Sequence, residues 1–145
     1  MGDAQAVAAA FIEAFNAHDE ARLRELNAED AVFEGPGDVR LEGKEAVTGY
    51  TMTWLNAFGD ARLEMREELV AGDSVVQEFI FEGTHTAPMQ TPAGEVPATN
   101  RTLRGRGLQV LRIEEGAIAH IRLYYDQVDV LTQLGLMPVP EAATA

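Results

Sequence analysis

Two residues at the ends of apolar strands could do acid–base chemistry. Asp126 closes the stretch "AHIRLYYD", residues 119–126, and a helical segment, "QVDVLTQLGL", follows at once. His85 sits in "EGTHT", residues 82–86, at the end of a second apolar alternation. A carboxylate inside an apolar cavity has its charged form disfavoured, so its pKa rises and it can take a proton near neutrality. The same aspartate at a strand-to-helix junction could instead cap the helix, a role worth about 1 kcal/mol. The spacing allows both. His85 could donate to a developing enolate oxygen or orient Asp126, or it could be a half-exposed strand end. Arg122, expected on the same strand face as Asp126, would lower the aspartate pKa and oppose the effect of burial. A tight pairing there would make the pocket a carboxylate-binding site rather than a base.

The elements that must hold these groups follow from periodicity. Residues 3–17 place Val7, Ala10, Phe11, Ala14 and Phe15 on one helical face. A short helix is expected over 19–27, with Glu20 paired to Arg24, and a third over 43–58, "GKEAVTGYTMTWLNAF". The period then becomes two, giving four long strands in "DARLEMREELVAG", "SVVQEFIFEGTHT", "RTLRGRGLQVLRIEE" and "AIAHIRLYYD". A Pro-rich loop, 87–98, divides the middle pair. Helices first and an antiparallel meander after is an α+β order. One domain is expected over 1–137, with N-terminal helices on a curled antiparallel sheet and a flexible tail at 138–145.

The last hairpin sets a register. A two-residue turn at Glu115-Gly116 places Asp126 opposite Gly105, Tyr124 opposite Gly107 and Arg122 opposite Gln109. That face, with Phe79 and Phe81 of the neighbouring strand, is expected to line a pocket, the two glycines leaving room for a ligand. Tyr50 and Trp54, four apart on one helix, and Phe15 are expected to join it, although most such aromatics are core. The other face carries Leu108, Val110, Ile121, Leu123 and Tyr125, and is the more apolar. Either it is the true interior or a second subunit covers it. The second choice predicts a homodimer through the sheet.

Composition excludes several classes. The chain has 145 residues, 46% of them hydrophobic, with 11 basic and 24 acidic residues for a net charge of −13. Such a field opposes binding to nucleic acid or to an anionic membrane surface. There is no cysteine, so disulfides and thiolate metal sites are excluded. Three scattered histidines lack metal-ligand spacing. The N-terminal stretch has no basic n-region, which is not the pattern of a secretory signal, and a cytoplasmic location is expected.

"AGDSVVQEFIFEGTHT", "FNAHD" and "LQVLRIEEGAIAHIRLYYDQVDVLTQLGL" together resemble the SnoaL-like polyketide cyclase or ester cyclase branch of the NTF2-like superfamily, over residues 5–137. The resemblance implies a cone-shaped α+β barrel around an apolar pocket. It also implies an aspartate on the last long strand, here Asp126, acting as acid/base in an intramolecular aldol closure without metal or organic cofactor. Many relatives carry tryptophan where this chain has Arg122. The expected function is a cyclase or isomerase acting by proton transfer on a hydrophobic, carbonyl-bearing small molecule. A non-catalytic binding protein for an apolar ligand and a chemistry-free assembly module are the alternatives.

Overall fold

The computed structural model describes residues 3–91 and 94–137; the expected tail at 138–145 lies outside the described residues. Its elements run α1 (Asp3–Asn16), α2 (Glu20–Leu26), β1 (Asn27–Gly35), β2 (Val39–Glu42), α3 (Lys44–Ala57), β3 (Arg62–Ala71), β4 (Ser74–Thr84), β5 (Met89–Thr91), β6 (Gly94–Val96), β7 (Thr102–Glu114), β8 (Ala117–Tyr125) and α4 (Gln127–Gln133). The fold is α+β. A six-stranded sheet in the order β2-β1-β8-β7-β4-β3 curls around the helices, and β5 and β6 pair separately within the stretch expected as a loop. Neighbours in the large sheet are antiparallel except β1 and β8, which run parallel. No helix among the described residues is long and apolar enough to cross a membrane.

Side-chain amides bind helices to strands where no partner strand exists. Asn16, ending α1, donates through Nδ2 to the Leu63 carbonyl at 3.1 Å and accepts from the Leu63 N–H at 2.7 Å. That pair supplies the backbone bonding that edge strand β3 lacks on its open side. His18 follows at a φ of +54°, with its Nε2 2.7 Å from the Ala61 carbonyl. Asp19 caps α2, accepting from the Arg22 N–H at 3.0 Å. The "FNAHD" run is therefore a joint between helices and sheet. At the other end Gln133 pairs with the Arg104 backbone in both directions at 2.9 Å, holding α4 on β7 before β8 begins to pair. Gly135 at φ +75° then takes the left-handed position that ends the helix, and the Leu136 N–H returns to the Leu131 carbonyl at 2.8 Å.

The β7–β8 hairpin departs from the register expected from its turn. Glu114 faces Ala117 and Ile113 faces Ile118, as a two-residue loop requires. Arg112 then faces His120, so Ala119 is an extra residue, a β-bulge. Every later pair shifts by one: Leu111 meets Ile121, Gln109 meets Leu123 and Gly107 meets Tyr125. Ile121, Leu123 and Tyr125 consequently face inward, and His120, Arg122 and Tyr124 face outward. The expected inward placement of Arg122, Tyr124 and Asp126 is overturned, because a one-residue slip exchanges the two faces of a strand. The expected β7 face was correct, and so was β4, where Gln77, Phe79 and Phe81 oppose Gln109, Gly107 and Gly105.

Gly107 makes room for phenylalanine rather than for a ligand, whereas Gly105 has no phenylalanine against it. A Cβ on Gly107 would lie 2.6 Å from Phe79 Cε1. Gly107→Ala should therefore push Phe79 aside and destabilise the fold by about 1–3 kcal/mol in urea unfolding. A change within about 0.5 kcal/mol would show that the ring moves freely.

Candidate functional site

The concave face of β4, β7 and β8 encloses a cavity with the inner sides of α1 and α3. Phe79 and Phe81 come from β4, Gly105, Gly107 and Gln109 from β7, and Ile121, Leu123 and Tyr125 from β8. Phe11 and Phe15 of α1, Tyr50, Thr51 and Trp54 of α3 and Val130 of α4 also line it. The free space is about 80 Å³. A dry cavity of about 150 Å³ takes benzene, so any ligand larger than one ring must displace side chains.

Apart from Arg106, which is exposed, the polar residues in this lining are few and uncharged. Tyr50 and Tyr125 stand close together in the lining, and each influences the other's titration. Burial raises the Tyr50 phenol well above its usual range and Tyr125 adds to the rise, while the Trp54 indole opposes it. Burial likewise raises Tyr125, against smaller opposing contributions from Tyr50 and Gln127. Both phenols therefore stay protonated at neutral pH, as hydrogen-bond donors. The Trp54 indole N–H is buried and has no acceptor among the described residues. Its ring packs edge-on against Tyr125 at 5.7 Å and against Phe81 at 5.4 Å.

Of the residues expected at the site, Phe15, Tyr50, Trp54, Phe79, Phe81 and Gln109 line the cavity; Asp126, His85, Arg122 and Tyr124 do not. Asp126 is exposed, and its Oδ1 accepts from the Asp129 N–H at 3.0 Å as the cap of α4. Its side chain is turned to solvent rather than to the cavity. Arg122 and Tyr124 lie on the outer face opposite Val110 and Leu108. His85 is buried, but behind Phe58, whose ring stacks on it at 5.1 Å. Phe58 packs in turn on Trp54 and Phe81, so an aromatic layer separates the imidazole from the cavity. The Thr99 N–H donates to His85 Nδ1 at 3.2 Å, which puts the ring proton on Nε2, an atom without a partner among the described residues. Burial lowers the His85 pKa against a smaller opposing effect of the Ala87 backbone, and the ring is neutral. Tyr125, Leu123 and Ile121 are the lining residues that the sequence reading assigned to the outside. Their greater apolarity was the available signal.

Among the described residues no group of three or more His, Asp or Glu side chains is placed to hold a metal ion. The sequence matches the SnoaL-like polyketide cyclase family over residues 5–134. The chain belongs to this family. IdmH of Streptomyces antibioticus, a candidate polyketide cyclase, is 28% identical and superposes with a TM-score of 0.74, over 91% of this chain and 98% of that one. A candidate SnoaL-like polyketide cyclase from Jannaschia is 16% identical with a TM-score of 0.82, over 94% of both chains. A Catenulispora acidiphila protein with a ketosteroid isomerase-like fold is 20% identical with a TM-score of 0.74, over 92% of this chain and 97% of that one. No curated protein matches the sequence. The fold is thus the NTF2-like, ketosteroid isomerase-like cone.

The cap geometry separates two roles for Asp126. Asparagine caps about as well as aspartate, whereas alanine does not. Asp126→Ala should cost about 1 kcal/mol in urea unfolding and Asp126→Asn only a few tenths. Equal losses in both variants would show that the carboxylate charge, not the cap, is what the fold uses.

Proposed function

We propose that the cavity binds a hydrophobic, carbonyl-bearing small molecule and promotes its cyclisation or isomerisation by hydrogen-bond donation from Tyr50 and Tyr125. The observation that carries this is the pair of protonated phenols inside an apolar lining. In an aldol closure or an enolisation the α-carbon gives up its proton, here to a basic group of the substrate itself, and negative charge develops on the carbonyl oxygen. Donors held in a water-poor site stabilise that charge more than water would, and removal of one such donor typically costs about 10²–10³ in rate. The apolar walls would fold the substrate so that its reacting carbons meet. Family membership and the likeness to IdmH support cyclase chemistry.

A second reading keeps Asp126 as the base. Its capping bond uses only Oδ1, and it directly follows Tyr125, which lines the cavity. The carboxylate would then work from the rim rather than from a buried position.

Solvent-deuterium exchange at the α-carbon of an aromatic ketone distinguishes these readings. Tyr50→Phe and Tyr125→Phe should each slow exchange by about 10²-fold, with smaller changes in ketone affinity. Wild-type rates in both variants would sink the donor reading. Exchange lost in Asp126→Asn would establish the rim base. Binding without exchange in the unmodified protein would leave a carrier.

We also propose that a second copy of the chain covers the outer face of the sheet. Leu69, Val76, Val110 and Leu108 run across it toward Tyr124, with Leu69 57% and Tyr124 55% exposed. Glu64, Glu67 and Glu78 lie toward the β3 side of this stripe, and Arg106, Arg112 and Arg122 toward the β8 side. A two-fold pairing sets the basic half of one copy over the acidic half of the other. Val110→Arg should give monomers that keep the cavity; sedimentation showing the unmodified protein monomeric at micromolar concentration would overturn the proposal.

A further inference from the structure

A chain of amides leads from the surface to the cavity, and its polarity is fixed. Gln77 is fully buried, and its Nε2 donates both hydrogens: to the Ala8 carbonyl at 3.1 Å and to Glu68 Oε2 at 3.0 Å. A carbonyl and a carboxylate only accept, so the Gln77 amide can be assigned in one orientation. Its Oε1 must then receive a donor, and Gln109 Nε2 supplies it at 2.9 Å. That in turn fixes Gln109, which is 4% exposed and lines the cavity. With Nε2 committed to Gln77, Oε1 is the polar atom that Gln109 has left for a ligand. No hydrogen bond to it is made among the described residues. Glu68 is held at the outer end, with Gln5 Nε2 3.4 Å from its Oε1.

We infer that Gln77, itself oriented by the Ala8 carbonyl and Glu68, is a positioning residue that holds Gln109 as a hydrogen-bond acceptor in the cavity, so that the site selects ligands carrying a hydroxyl donor as well as a carbonyl. This rests on the proposal that the cavity is the ligand site. An acceptor on the cavity wall with no protein partner favours a ligand that satisfies it and penalises one that blocks it with a methyl group. A hydroxylated aromatic ketone would meet both polar regions of the lining: phenol donors for its carbonyl and the Gln109 oxygen for its hydroxyl.

The probes are a hydroxyacetonaphthone and its methyl ether, with binding followed through Trp54, the only tryptophan in the chain. The unmodified protein should bind the hydroxyl form about tenfold more tightly than the ether. In Gln77→Met the acceptor that receives Gln109 Nε2 is gone, so the Gln109 amide is free to turn over. The hydroxyl-to-ether ratio should fall to about threefold or less, with ether affinity unchanged and cooperative unfolding retained. Glu67→Gln, on the outer face, should keep the full ratio. Equal affinities for the two probes in the unmodified protein, or a full ratio in Gln77→Met, would overturn the inference. Failure of the carbonyl reading is scored separately, as equal affinity for either ketone and for naphthalene.

Discussion

The extra residue at Ala119 decides what this protein encloses. Side chains alternate along a strand, so a one-residue shift sends every later side chain to the opposite face. The tight turn at Glu115-Gly116 sets one register, and the apolar sequence beyond it demands the other. Without the bulge, His120, Arg122 and Tyr124 would enter the cone and Ile121, Leu123 and Tyr125 would leave it. Burying a guanidinium unpaired costs several kcal/mol, and each aliphatic side chain moved into water forfeits about 1.5–3 kcal/mol. Both effects favour the bulge. β1 breaks register at the same level, passing from Asn27–Ile118 to Val32–His120, so the strands on both sides of β8 yield where it does. A bulge also bends and twists its strand, which suits a sheet that must curl.

The reversed face changes the chemistry available inside. The expected interior held a carboxylate, a guanidinium and an imidazole, a set suited to moving protons. The actual interior holds two phenols, an indole and a glutamine amide, and the phenols are driven further toward their neutral form by the same burial that would have strengthened a carboxylate base. Such a set can polarise and orient a substrate. Any proton acceptor stronger than an amide oxygen must stand at the rim, where Asp126 is, or come from the substrate itself.

Much of the fold was legible because local pattern and tertiary demand agree. Phe11, Ala14 and Phe15 of the α1 stripe are buried as its period requires, with Val7 and Ala10 half-buried, and β4 turns Phe79 and Phe81 inward as alternation requires. The turn correctly gave the first two β7–β8 pairs. Ala119 has none of the glycine or proline chemistry that marks an interruption, so its effect was visible only in the apolarity of positions 121, 123 and 125. Asp126 carried signals for a base and a cap, and spacing does not distinguish them. His85 sits on the expected strand face, but whether Phe58 stands in front of it depends on a contact between distant segments. The parallel pairing of β1 with β8 joins residues about ninety apart and leaves no local trace.

The narrowness of the cavity bears on what can enter it. Phe81 meets the rings of Phe15, Trp54 and Phe58 at centroid distances of 6.4, 5.4 and 5.3 Å. Aromatic pairs of this kind contribute about 0.5–1.5 kcal/mol beyond their buried area. Widening the space for a second or third ring breaks some of these contacts. A flat conjugated guest restores them with its own edges and faces, whereas a branched aliphatic guest restores only the apolar area. The same crowding makes Gln109 effective. In a wide, wet cavity its oxygen would be satisfied by water and would discriminate little, but beside Leu123 and Tyr125 the acceptor competes with little solvent. Polar selection at one amide therefore depends on the apolar side chains that the bulge turned inward.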